Sequence, residues 1–283
     1  MEITKMHGAG NDFIIINNLR EKIPLQKLPE LAGKICTRRL SAGADGFMVV
    51  MPPENGGDFR MLFFNSDGTV GEMCGNGARC IARYGYENGL AGETQRIETT
   101  AGLVTGKRVS KRIYTVRLND PTCVDMDMEI TAGGKNLTVS YVELGNPGLP
   151  HAVLIGDEYL TMPEAELREL GRAVRWCRHF PKGANVNFCS HVSDAKNWYV
   201  KTYERGVEDF TLACGTGIGS TALSLCLKGL AAPEKVDISA PGGRLSVTLS
   251  LEGGGKDIWL TGPTNLVYTG TLTDEDIFTE VTI

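Results

Sequence analysis

One cysteine-centred pattern occurs twice in this chain, and any fold must accommodate both copies. The first reads Phe59-Arg60-Met61-Leu62-Phe63-Phe64-Asn65, a polar loop, then Met73-Cys74-Gly75-Asn76-Gly77-Ala78. The second reads Trp198-Tyr199-Val200-Lys201-Thr202-Tyr203-Glu204-Arg205, a polar loop, then Ala213-Cys214-Gly215-Thr216-Gly217-Ile218. Each is strand, loop, Cys-Gly-x-Gly, helix, and the cysteines stand 140 residues apart in a chain of 283. Gly10-Asn11 and Gly145-Asn146 precede them at similar distances, 63 and 68 residues from asparagine to cysteine. The repeat predicts two related domains facing each other, with a ligand in the cleft between them.

Around this pattern, 35 glycines punctuate many short apolar segments. Strands are expected at 3–5, 13–17, 46–50, 59–65, 96–99, 103–109 and 113–118, with a hairpin turn at 109–113. A second set is expected at 137–144, 152–155, 184–188, 198–203, 236–239, 245–251, 258–260 and 266–270. Helices are expected at 29–37, 75–87, 162–177 and 215–228, the third with Pro163 in its first turn after Thr161 as cap. Strands in runs with isolated helices between them argue for an α+β fold. The domains are expected to span residues 1–119, with 264–283 returning to the first, and 120–263.

Bulk properties narrow the function. Length suits two ordinary domains, and 42% hydrophobic with 22% charged residues is a globular composition. Net charge is −5 and no long basic stretch stands out, which argues against nucleic acid and acidic membranes as partners while leaving an anionic small molecule open. The N-terminus has no apolar signal region and no apolar run reaches the length of a membrane span, so a cytoplasmic location is expected. Eight cysteines without a secretion signal are not read as a disulfide framework. No Cys-x-x-Cys pair exists and no two histidines stand three to five residues apart, so no metal site is expected. Cys36, Cys80, Cys123, Cys177, Cys189 and Cys226 are read as structural.

Cys74 and Cys214 are different because of their place. A cysteine at a helix start lies near unbonded backbone N–H groups and the positive end of the helix dipole, and both favour thiolate over thiol. The following glycines let the backbone approach a ligand closely, and its N–H groups suit a carboxylate. Two such sites across a cleft could hold an amino acid with its α-carbon between two sulfurs. One thiolate would remove the α-proton and the opposing thiol would return a proton to the other face, inverting the centre. Their protonation states would be coupled. Fixed N–H donors would stabilise charge developing on the carboxylate. Oxidation is expected to join the two thiols and stop the reaction until a reductant is added.

At these residues the chain closely resembles the diaminopimelate epimerase family. The resemblance runs through Lys5-Met6-His7-Gly8-Ala9-Gly10-Asn11-Asp12-Phe13, Gly43-Ala44-Asp45-Gly46, Phe64-Asn65-Ser66-Asp67-Gly68 and Cys74-Gly75-Asn76-Gly77-Ala78-Arg79-Cys80. It continues through Gly145-Asn146-Pro147, Asn185-Val186-Asn187-Phe188, Glu204-Arg205-Gly206, Cys214-Gly215-Thr216-Gly217 and Pro241-Gly242-Gly243. It implies two pseudo-symmetric α+β domains, each a mixed, strongly curved sheet around a central helix. It further implies interconversion of LL- and meso-diaminopimelate on the route to lysine and peptidoglycan, with no cofactor and no metal, and it admits a homodimer. By motif, Cys74 and Cys214 resemble the acid–base pair, and Gly75, Asn76, Gly215 and Thr216 the cradle of the reacting carboxylate. Asn11, Asn65, Asn146, Asn185 and Arg205 resemble ligands for the rest of the substrate, Arg205 matching the distal carboxylate contact. Glu204 and His151 resemble polar groups beside the reacting centre.

Three stretches depart from the family pattern: the lead into Gly43, Leu40-Ser41-Ala42, is unusual, and two more lie at the presumed substrate end of the second domain. Gly145-Asn146-Pro147-Gly148-Leu149-Pro150-His151 is three residues longer than Gly-Asn-Pro-His, and Glu204-Arg205-Gly206-Val207-Glu208-Asp209-Phe210-Thr211 is one longer and lacks a second glycine. A racemase for another amino acid is therefore one alternative. Gly215-Thr216-Gly217-Ile218-Gly219 followed by Asp237 admits a nucleotide-binding module, although Ser220 stands where the third fingerprint glycine belongs. Cys74 or Cys214 with His151 admits a cysteine hydrolase. A non-catalytic binding protein would keep the cleft without needing both thiols.

Overall fold

The computed structural model describes residues 1–71, 74–192, 197–252 and 255–278. Met73 of the first repeat and residues 279–283 of the returning segment lie outside them.

The chain opens with β1 (Glu2–Gly8), β2 (Asn11–Asn17), α1 (Asn18–Glu21), α2 (Leu28–Ile35), β3 (Gly46–Met51), β4 (Phe59–Asn65) and α3 (Gly75–Glu87). β5 (Thr94–Thr99), β6 (Gly102–Arg108) and β7 (Ile113–Arg117) follow. Next come β8 (Pro121–Ala132), β9 (Lys135–Leu144), β10 (Leu149–Ile155), α4 (Glu158–Thr161), α5 (Glu164–Arg175), β11 (Asn185–Val192) and β12 (Asn197–Glu204). β13 (Asp209–Thr211), α6 (Gly215–Leu227), β14 (Val236–Ala240), β15 (Gly243–Ser250) and β16 (Lys256–Pro263) complete that stretch, and β17 (Asn265–Thr271) and α7 (Glu275–Phe278) end the chain. Contacts divide it into two compact units, Met1–Val116 with Pro263–Ile283, and Arg117–Gly262.

The two units share one topology. In the first, strands pair in the order β17-β1-β2-β3-β4-β5-β6-β7. In the second the order is β8-β9-β10-β11-β12-β14-β15-β16, with β13 also on β12. The sense of pairing is the same in both, antiparallel except at β2–β3 and β4–β5, and at β10–β11 and β12–β14. A parallel step needs a crossover connection. α2 and α3 lie in those crossovers in the first unit, and α5 and α6 in the second. This is a mixed, sheet-dominated α+β architecture.

Each sheet is covered on both faces, which explains its apolar runs. In β2, Phe13 and Ile15 point into one cluster with Met48, Phe59, Cys80 and Ile81, while Ile14 and Ile16 point into another with Leu28, Leu31 and Ile35. α3 packs against β1, β2 and β6, strands far apart in the sheet order, so the sheet curls around the helix; α6 likewise meets β9, β10, β11, β12 and β15. Both are central helices, buried along most of their length. Glycine permits the close approach. A Cβ on Gly77 would stand 2.4 Å from Met48 Cε, and one on Gly217 would stand 2.2 Å from Asn187 Oδ1.

The short elements α1, α4, β13 and α7 were not anticipated, and three further features differ from expectation. β8 was not anticipated: Asp125, Asp127 and Glu129 are poor strand formers. Their alternation with Met126, Met128 and Ile130 is nevertheless a period-2 pattern, with the apolar set facing inward and the acids outward. α5 starts at Glu164, with Pro163 itself at the N-cap and no side-chain cap, while Thr161 ends the short α4. Glu164 and Glu166 in the first turn complement the dipole instead. Cys123, read as a buried structural residue, is exposed on β8.

Candidate active site

Cys74 and Cys214 occupy the same place in their units. Each is the N-cap of a 13-residue helix, with φ/ψ of −104°/119° and −103°/111°. Ala78 N–H donates to Cys74 O at 2.7 Å and Ile218 N–H to Cys214 O at 2.9 Å, closing the first turns. The amides of residues 75–77 and 215–217 thus lie outside the helical ladder, in the turn that each cysteine begins. They are what can stabilise a thiolate or receive a carboxylate. The remaining cysteines lack this setting. Burial pushes the thiols of Cys36 and Cys80 up to about 12 and that of Cys226 to about 11.

In the first unit, Cys74 Sγ donates to Asn11 Oδ1 at 3.3 Å, and Asn11 Nδ2 donates to Asp45 Oδ2 at 2.7 Å. Arg38 bridges Asp45 and Asp12 at 2.8 and 2.6 Å, and Lys5 holds Asp12 from the other side at 2.6 Å. Burial raises the Asp12 carboxyl, but the hydrogen bonds of Arg38 and Lys5 outweigh it and hold the pKa at about 2. Below Cys74, Arg79 is fully buried; it donates to Gly75 O at 3.2 Å and to Asn76 Oδ1 at 2.8 Å. Asn65, exposed at the end of β4, is tied to its own turn, donating to Thr69 Oγ1 at 2.9 Å.

In the second unit, Cys214 Sγ lies 3.6 Å from Thr216 Oγ1. His151 on β10 stands opposite Asn185 on β11, and Asn185 Oδ1 accepts from the Arg205 backbone N–H at 2.8 Å. His151 is fully buried, its Nδ1 3.3 Å from Asn187 Nδ2, and its Nε2 has no partner among the described residues. Burial first, and the Arg205 charge second, depress its pKa to about 3. Glu204 ends β12 half-buried, and Asn146 is exposed in the turn before β10. Gly145 in that turn and Gly10 before Asn11 share left-handed φ values, 87° and 83°.

The structure therefore gathers Asn11, Cys74, Gly75 and Asn76 in one unit and His151, Asn185 and Arg205 in the other, with Gly215 and Thr216 beneath Cys214. Sequence reasoning missed Asp45, Arg79 and Asn187. Asn187 is fully buried, accepts from Thr202 Oγ1 at 2.9 Å and packs on the backbone of Gly217. A signal for Asp45 was available: Gly43-Ala44-Asp45 and Gly183-Ala184-Asn185 repeat at the spacing of the cysteines. Both glycines are left-handed, with φ of 68° and 67°.

The rival readings fit poorly. Gly217 and Gly219 are buried within α6 against Asn187 and Leu118, and Asp237 is engaged by Lys235 at 2.9 Å. A histidine with a pKa near 3 is a weak base for a hydrolase. Among the described residues, no group of three or more His, Cys, Asp or Glu side chains could hold a metal ion, and no helix is long and apolar enough to cross a membrane.

Known proteins resemble this chain along nearly its whole length. The family model for diaminopimelate epimerase matches residues 3–121 and 144–267. The diaminopimelate epimerase of Aquifex aeolicus is 36% identical over 284 residues, covering 97% of this chain and 99% of that protein. That of Hydrogenobaculum sp. is 37% identical with the same coverage. Among solved structures, a probable proline racemase from Agrobacterium radiobacter matches with a TM-score of 0.69 at 15% identity, covering 95% of this chain and 92% of that one. A phenazine biosynthesis protein from Bacillus anthracis matches with a TM-score of 0.70 at 14% identity, covering 95% and 98%. These two show a shared fold, whereas the family model and the sequence relatives show more: the chain belongs to the diaminopimelate epimerase family.

Proposed function

We propose that this chain interconverts LL- and meso-diaminopimelate by proton transfer at one α-carbon, with Cys74 and Cys214 as the acid–base pair and no cofactor. The observation that carries the reading is the duplicated N-cap geometry of the two cysteines, matched within about 10° in both backbone angles, in a chain of this family. One sulfur, as thiolate, takes the α-proton. The other, as thiol, delivers its proton to the opposite face, and the charge that builds in between is spread onto the α-carboxylate. The amides of Gly75 and Asn76, with those of Gly215 and Thr216, are suited to meet that charge. The reverse reaction exchanges the roles.

The remaining ligands follow from chemistry. Arg205 offers a planar fork to the distal carboxylate. Asn11, Asn65, Asn146 and Asn185 can donate and accept along the rest of the molecule. Glu204 can receive an ammonium group. His151, neutral and buried, serves as a fixed dipole rather than a base. The reading places the enzyme in the cytoplasm on the route to lysine and peptidoglycan, as two domains bounded near residues 119 and 264, and allows a homodimer.

The test is α-proton exchange in heavy water under reducing conditions, with LL- and meso-diaminopimelate and a panel of single amino acids. The expected result is deuterium uptake with inversion on diaminopimelate, falling by at least about 10²-fold in both Cys74→Ala and Cys214→Ala. Exchange confined to another amino acid would keep the mechanism and replace the substrate. Full activity in either variant would sink the two-thiol mechanism.

A further inference from the structure

The bond between Cys74 and Asn11 has a direction, and a third residue sets it. An asparagine amide presents an acceptor on one side and a donor on the other, and its orientation is decided by its partners. Asp45, as a carboxylate, can only accept. Its Oδ2 lies 2.7 Å from one side of the Asn11 amide, so that side must be Nδ2. The same Oδ2 also takes the Asp12 backbone N–H at 3.1 Å, and Oδ1 takes Arg38, which pins the carboxylate. Asn11 is thereby forced to turn Oδ1 toward Cys74 Sγ, 3.3 Å away. An amide oxygen can bond a thiol and repels a thiolate.

We infer that Asp45 is a positioning residue that, through the Asn11 amide, holds Cys74 in its protonated form, so that the resting enzyme carries its transferable proton on Cys74. This rests on the two-cysteine reading above and adds an inequality to it. Cys214 faces the hydroxyl of Thr216 at 3.6 Å, a group able to donate to a thiolate. Other charged groups act on Cys74 too. Arg79 from its own helix favours the thiolate, and Cys80 beside it stays a thiol. Beyond Asn11, the charges of Asp45 and Asp12 are offset by Arg38 and Lys5. The Asn11 oxygen, in direct contact with the sulfur, thus opposes the helix N-terminus and Arg79.

The experiment reads protonation without needing turnover. In reduced Cys214→Ala enzyme, the rate of iodoacetamide alkylation at Cys74 is followed against pH by peptide mass spectrometry. The same is done with Asp45→Asn, with Asn11→Ala and with both together. Asparagine at 45 can donate as well as accept, so Asn11 is free to turn its Nδ2 to the sulfur. The apparent pKa of Cys74 is expected to fall by about one unit, about tenfold more thiolate at a pH below it. Asn11→Ala is expected to lower it too, and Asp45→Asn to add nothing on top. An unchanged profile in Asp45→Asn overturns the inference. So does an equal Asp45→Asn effect with Asn11 absent, which would mean charge alone acts. Circular dichroism establishes that the variants fold. Loss of the epimerase reading itself would appear separately, as wild-type enzyme inactive on every amino acid.

Discussion

Burial holds His151 neutral in the folded chain, with a pKa of about 3 against 6.5 for an ordinary imidazole. Between those values the unfolded chain binds a proton that the folded chain refuses. Stability is therefore unaffected above pH 6.5 and falls as pH drops toward 3. Asp12 acts in the same direction lower down: its depressed carboxyl contributes stability above pH 3.8 that is lost as pH falls toward 2. The window from pH 5 to 6.5 thus isolates the histidine. Urea unfolding of His151→Asn is expected to show a pH slope shallower by up to about 1.4 kcal/mol per unit there. An identical slope in both proteins would contradict the burial of a neutral ring. At this scale the sequence was informative where chemistry sits on the backbone pattern, as at Cys74 and Cys214. It was silent where a role depends on a partner distant in the chain. The repeat around Asp45 marks the residue but not that its carboxylate will meet the amide of Asn11, and the bond that ties Asn65 to Thr69 is equally absent from the string.

The two central helices show what an element inherits from its surroundings. Gly75–Glu87 matched its expected bounds because a cysteine N-cap and a long buried run mark both ends. Glycine within a helix ordinarily costs about 1 kcal/mol relative to alanine, so replacing it should help. Here packing decides. An added methyl at Gly77 meets the flexible end of Met48, while at Gly217 it meets the Asn187 amide, which Thr202 and His151 hold in place. Gly77→Ala is expected to change stability by less than about 1 kcal/mol, and Gly217→Ala to destabilise by about 1–3 kcal/mol. Denaturation midpoints of the two variants decide it; equal midpoints would mean that Asn187 yields as easily as methionine. β8 teaches the complementary lesson. Its acids argue against a strand residue by residue, and only the period of two that runs from Asp125 to Ala132 argues for one.

On the scale of the whole molecule, the first unit is closed by the last stretch of chain. β17 pairs with β1 from Glu2↔Thr271 to His7↔Asn265, and the buried Arg83 donates to Thr264 O at 2.9 Å. A chain ending at Gly262 is expected to lose amide protection over residues 1–17 by hydrogen exchange while residues 135–155 keep theirs. Equal loss in both would mean the units do not unfold separately. The repeat that announced this architecture is plain in the cysteines and faint elsewhere, because topology survives substitutions that erase sequence likeness. The divergence has a use. The buried Arg79 beneath Cys74 has, 140 residues later, Gly219 as its counterpart, where a methyl would strike Leu118. Two identical chains assembled as a pair must alter both sides of their shared centre with every mutation. A gene that has joined its two copies end to end is released from that bond: one half can acquire an arginine while the other keeps a glycine. Quasi-symmetry then becomes a starting point rather than a constraint, and each half is free to specialise its own cysteine's surroundings.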